Sequence, residues 1–137
     1  IVRDLSVPMI HIAAPTAAEL EADGIGTVGL LGTRFTMENR FYIEALEASG
    51  FEVLVPDVGI TNLNGIIYDE LCRGIVRDES RRVYVEAIER LGARGAEAVI
   101  LGCTEIGMLI DDAVSPVPTY DTTDLHAKAL VAAALSE

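Results

Sequence analysis

A thiol stands at Cys103 directly after the apolar stretch EAVIL (97–101), in the string Gly102-Cys103-Thr104. A cysteine that leaves a buried strand and opens a helix meets unpaired N–H groups and the positive end of the helix dipole. That setting is expected to lower its pKa, making a thiolate able to act as nucleophile or base. Free cysteine is also a common small buried hydrophobe, so the flanking glycine and threonine carry the functional reading. Thr104 can cap the helix or donate a hydrogen bond to a ligand. Glu105 falls in the first helical turn, where a carboxylate is favoured in any case.

Two further groups have the same character. Gly29-Leu30-Leu31-Gly32-Thr33-Arg34-Phe35-Thr36 is a glycine-rich turn in which backbone N–H groups and the hydroxyls of Thr33 and Thr36 could hold an anion. Its spacing fits neither a dinucleotide fingerprint nor a P-loop. Asp121-Thr122-Thr123 precedes the last apolar segment as a natural helix start, and His126 lies within that segment, able to titrate near neutrality or to orient another group. His11 and Cys72 carry no such pattern, and Cys72, at the edge of an apolar face in IIYDELCRGI, is expected to be part of the framework. There is no metal-ligand spacing and no serine nucleophile elbow.

The elements that must position these groups alternate. Strands are expected at 7–12, 27–31, 51–55, 97–101 and 117–120, and helices at 15–23, 36–49, 66–75, 79–91, 104–110 and 122–135, with a loop at 57–65. In the helix at 36–49, Met37, Phe41, Ala45 and Ala48 share one face. Near-continuous apolar strands between helices imply an α/β fold with a parallel sheet flanked by helices. In such sheets ligands bind beyond the carboxyl ends of the strands, which is where the three polar groups fall.

The chain has 137 residues, half of them hydrophobic, enough for a real core. Its net charge is −12, from 22 acidic and 10 basic residues. That field repels nucleic acid and anionic membranes, and any anionic ligand needs local donors. Two cysteines are too few for a disulfide scaffold, so a reduced, cytoplasmic setting is expected. The first residue is Ile1, which hints at a piece of something longer.

Four strings, VGLLGTRFTME (28–38), IIYDELCRGI (66–75), GAEAVILGCTEI (95–106) and YDTTDLHAKA (120–129), resemble the aspartate/glutamate racemase superfamily on its aspartate racemase side, in the family's order. The opening VPMIHIAAPTA resembles the end of that family's first domain. The resemblance implies one domain of a two-domain fold: 1–24 as the end of the first domain, 25–120 as the second, and 121–137 as a helix returning to the boundary. It implies a cofactor-independent racemase of aspartate or glutamate, using neither pyridoxal phosphate nor metal, in which thiols on opposite faces of Cα remove and return the proton. Cys103 falls on the second-domain thiol. Thr33, Thr36 and Thr104 fall on substrate-contacting positions, and Glu105 and His126 on supporting ones. The first-domain cysteine, in a Cys-x-Asn-Thr context, has no counterpart here. The resemblance therefore implies an incomplete site, a missing N-terminal domain as partner, and an apolar patch prone to self-association, edged by the first strand and last helix. Two alternatives remain: a single-cysteine decarboxylase of the same superfamily, and a non-catalytic amino-acid-binding domain.

Overall fold

The computed structural model describes residues 7–123, 125 and 131, with side chains from residue 14 onward. Four strands, β1 (Thr27–Leu31), β2 (Glu52–Leu54), β3 (Ala98–Leu101) and β4 (Thr119–Asp121), form one parallel sheet in the order β2-β1-β3-β4. The helices are α1 (Val7–Ala22), α2 (Arg34–Met37), α3 (Arg40–Ala48), α4 (Ile60–Asp69) and α5 (Asp78–Ala93), with short 3₁₀ helices at Leu71–Arg73 and Thr104–Met108. The α/β expectation holds.

Period-two burial divides the sheet. Val28, Leu30, Ala98 and Ile100 face α1 and α3, meeting Leu20, Tyr42, Ile43 and Leu46. Leu31, Val99 and Leu101 face the other way, toward Leu63, Ile66 and Ile67 of α4 and Tyr84, Ala87, Ile88 and Leu91 of α5. All are buried, as a sheet covered on both faces requires. Gly29 shares the α5 face. A Cβ there would lie 2.9 Å from Leu91 Cδ1 and 3.1 Å from Val99 Cγ1, so its missing side chain lets α5 approach β1. At the amino end of the sheet, Glu97 Oε1 accepts from the N–H groups of Gly26 (2.7 Å) and Thr27 (3.0 Å), clamping β3 to the start of β1. Those two bonds hold its carboxyl below the usual carboxylate range. Tyr120 O–H donates to Asp23 Oδ2 at 2.5 Å, tying β4 to the segment after α1.

Several expected elements differ. The run at 7–12 lies in helix α1, not a strand. A short apolar run has no period that separates the two, and Pro8 fits a first helical turn. Pro15 sits inside the helix rather than opening a new one. The helix expected at 36–49 is two. α2 is capped by Thr33, and Asn39 starts α3 by accepting from the N–H groups of Phe41 (3.0 Å) and Tyr42 (3.3 Å). That restart changes the phase: Tyr42, Ile43 and Leu46 are buried and Phe41 is exposed. α4 begins at Ile60, within the expected loop, because Gly59 at φ 79° supplies a left-handed entry, and it ends at Asp69. The final helix lies almost wholly outside the described residues, as does the patch it was expected to edge.

The sheet order fixes where a ligand can sit. From β1 the chain moves outward to β2, then crosses back past β1 to β3. The connections therefore diverge between β1 and β3, and the crevice at their carboxyl ends is the topological switch point. Leu31 is level with Leu101, and Leu101 with Asp121, so three strand exits come out together. Among the described residues no helix is long and apolar enough to cross a membrane.

Candidate active site

The exits of β1 and β3 are packed backbone to backbone. Gly102 N–H donates to Leu31 O at 2.7 Å. A Cβ on Gly102 would stand 3.0 Å from that same oxygen and 3.0 Å from Thr36 Cγ2. A Cβ on Gly32 would stand 2.9 Å from Thr36 Cβ. Both glycines thus make room for Thr36, whose side chain lies across the two exits. Thr33 Oγ1 accepts from Thr36 N–H at 3.2 Å and lies 3.2 Å from Thr36 Oγ1. The two hydroxyls form a pair at the start of α2.

β4 closes the other side. Thr122 Oγ1 donates to Leu101 O at 3.2 Å, and Thr123 Oγ1 lies 2.9 Å from Thr104 Oγ1. Asp121 Oδ1 accepts from Thr123 N–H at 2.9 Å, the capping contact expected from the sequence. The structure therefore brings Thr33, Thr36, Cys103, Thr104 and Glu105 to one edge of the sheet. His126 lies outside the described residues.

Cys103 is the N-cap of the Thr104–Met108 3₁₀ helix, extended at φ −141°. Its Sγ–H donates to Glu105 Oε1 at 3.0 Å. Burial, then the hydrogen bond to the Glu105 carboxylate and its charge, push the thiol up to about 11. This overturns the expected lowering. The helix after Cys103 is a short 3₁₀ segment of five residues, and burial first, then a carboxylate that stabilises the protonated sulfur, oppose the thiolate. Glu105 shifts the opposite way, its carboxyl held down chiefly by the bond from Cys103. At neutral pH the pair is a thiol donating to a carboxylate. Tyr84, fully buried nearby, donates to Leu63 O at 2.8 Å; burial and then Cys103 raise its phenol far above the ordinary value.

A direct consequence concerns Glu105→Gln. The neutral amide no longer repels a thiolate and can donate to it. Cys103 is expected to become more acidic by about one unit and to react about tenfold faster with iodoacetamide at pH 8. Peptide-resolved alkylation rates measure this; an unchanged or slower rate would show that burial alone holds the proton.

One contact set was not signalled by the sequence. Arg34 N–H donates to Asn64 Oδ1 at 2.7 Å, and its guanidinium donates to Thr61 Oγ1, joining the glycine-rich turn to α4. The bonds span 30 and 27 positions, and no local pattern foreshadows them. Among the described residues no group of three or more His, Cys, Asp or Glu could hold a metal ion.

The thiol at the exit of β3, on the same end of the sheet as Thr33, Thr36 and Thr104, sits on a fold shared with known proteins. The family model for Asp/Glu/Hydantoin racemase matches residues 1–130. The chain belongs to this racemase family. A Yersinia pestis protein assigned as an Asp/Glu racemase superposes with a TM-score of 0.86 at 45% identity, over 90% of this chain and 55% of that one. An aspartate racemase homologue from Pyrococcus horikoshii OT3 superposes with a TM-score of 0.84 at 37% identity, over 92% of this chain and 55% of that one. Among curated relatives, the broad specificity amino-acid racemase RacX of Bacillus subtilis is 26% identical over 96% of this chain and 57% of its own length. This racemase-family chain thus spans about half the length of the relatives it matches.

Proposed function

We propose that this chain supplies the proton-donor half of a cofactor-independent amino-acid racemase of the aspartate/glutamate type. The observation that carries the reading is the Cys103 thiol, protonated and hydrogen-bonded to Glu105 at the β1/β3 switch point. A base on a facing first domain removes the Cα proton. The Cys103 S–H bond breaks as its proton passes to the opposite face of Cα, leaving a thiolate that is the base for the reverse reaction. Thr33, Thr36 and Thr104 hold the substrate carboxylate with hydroxyl and backbone N–H donors, which a molecule of net charge −12 must supply locally. Glu105 keeps Cys103 protonated between turnovers, and His126 belongs to the supporting set. Residues 1–24 and 121–137 then border the first domain, and 25–120 form the second.

One thiol cannot serve both faces of a carbon, so the reading requires a first domain facing this one. Phe35 of α2 and Met108 of the 3₁₀ helix after Cys103 are 76% and 46% exposed, on the elements that leave β1 and β3. They offer an apolar seat for that domain, or for self-association in its absence. A cytoplasmic setting suits a free catalytic thiol. The protonated state of Cys103 also favours a second reading, a decarboxylase in which a single thiol protonates the carbanion left by carbon dioxide.

The test is Cα deuterium uptake and inversion of L- and D-aspartate and glutamate in deuterium oxide. The chain is assayed alone and with a polypeptide corresponding to the first half of its relatives. Inversion only in the mixture is expected. Full inversion by the chain alone would defeat the division of labour, and carbon dioxide release from a disubstituted malonate by the chain alone would select the decarboxylase.

A further inference from the structure

Cys72 has no part in the proposed reaction, yet the short helix that carries it packs against the one that begins at Cys103. It occupies the middle of the 3₁₀ helix Leu71–Arg73 and is exposed, rather than being part of the packed framework. Its neighbour Leu71, at 2% exposure, anchors that helix in the core. The Leu71–Arg73 helix packs against the Thr104–Met108 helix, whose N-cap is Cys103. Leu71 and Ile106 belong to the apolar cluster against which Cys103 also packs. The two cysteines therefore belong to two short helices that pack together, Cys72 within one and Cys103 as the N-cap of the other. These are both of the chain's cysteines.

We propose that Cys72 and Cys103 form a redox-responsive dithiol, a modification site at which a low-molecular-weight disulfide oxidises the pair to an intramolecular disulfide. The exposed Cys72 is the entry point. Its sulfur attacks one sulfur of the small disulfide, forming a mixed disulfide and expelling one small thiolate, which takes up the Cys72 proton. Cys103 then attacks the Cys72 sulfur as its proton passes to the Glu105 carboxylate that already accepts its hydrogen bond. The second small thiolate leaves and recovers that proton. Two cysteine thiols lose two electrons, and one small disulfide becomes two thiols. The bond would bridge the two short helices and remove the sulfur that the proposed racemase reaction needs. Only this last consequence rests on the racemase reading; the dithiol itself does not.

The test uses the whole chain, at two dilute concentrations, treated with oxidised glutathione and read by intact mass and peptide mapping. The expected product has lost both free thiols, retains no glutathione, contains a Cys72–Cys103 linked peptide, and reverts with dithiothreitol. Cys103→Ser is expected to stop at one glutathione retained on Cys72, and Cys72→Ser, which lacks the entry point, to stay unmodified. Two glutathiones retained per wild-type chain, a covalent dimer that increases with protein concentration, or no reaction at Cys72 would each overturn the proposal. None of these readouts depends on racemase activity, so failure here leaves the proposed function standing, and the reverse.

Discussion

Cys103→Ala is expected to lower inversion of aspartate or glutamate by roughly 10²–10⁴-fold once the first domain is supplied, the range for removing a positioned acid/base group. The loss should be larger for inversion than for exchange. Without the Cys103 proton donor, a base on the opposite face can still lift the Cα proton of one enantiomer and return solvent deuterium to the same face. One isomer then exchanges without inverting, while the other, which needs Cys103 as base, does neither. Proton and deuterium NMR of each isomer separates the two cases. The fold should tolerate the change, because the half-buried sulfur contacts the core only from its edge and its hydrogen bond to Glu105 reaches a neighbour just two positions away. An unfolding midpoint close to that of the wild-type chain would confirm that the lost activity is chemical. Inversion within about tenfold of wild type would remove Cys103 from the reaction.

The parts of this site legible in the sequence are those set by a strand and its immediate exit. VGLLGT and AVILGCT each show a continuous apolar run ending in glycine, and each forms a central strand with its polar exit at the same edge. Two covered faces require that pattern, so it survives without knowledge of the fold. The features that escape the sequence depend on contacts distant along the chain or on one side chain's choice. Asn39 restarts a helix and moves the buried face from Phe41 to Tyr42 and Ile43, a shift no helical period could announce. The ionisation of Cys103 is opposite in sign to the expectation for a related reason. Helix onset is visible in the sequence, but the burial of the sulfur, the short 3₁₀ form and the direction in which Glu105 turns back are not. A carboxylate two positions on can serve the helix start or the thiol, and here it serves the thiol. The string around Cys72 is apolar and suggests an inert framework residue, yet only Ile66, Ile67 and Leu71 of that string are buried, and the fold leaves its thiol outside.

Leu91→Ala is expected to cost about 2–5 kcal/mol of unfolding free energy, and Gly29→Ala about 1–3 kcal/mol, yet the double variant should fall well short of their sum. Leu91 is 1% exposed and lies on α5 against the bare backbone of Gly29. Truncating it leaves a cavity that two flanking elements of a close-packed sheet cannot readily close. Adding a methyl at Gly29 does the opposite, forcing a carbon to within 2.9 Å of Leu91 Cδ1 and 3.1 Å of Val99 Cγ1. The small gain from replacing glycine in a strand offsets this only in part. In the double variant the offending Cδ1 is gone, and the remaining Leu91 Cβ, at 3.5 Å from the new methyl, is in ordinary contact. The added group then fills part of the space the leucine vacated, while the tight approach to Val99 persists. A coupling of about 1–2 kcal/mol in the compensating direction is expected, measurable by a urea double-mutant cycle. Strict additivity would mean that α5 is not seated on Gly29. The cycle therefore tests whether β1, which carries Gly32, Thr33 and Thr36 to the site, is held in place by the close approach of that helix.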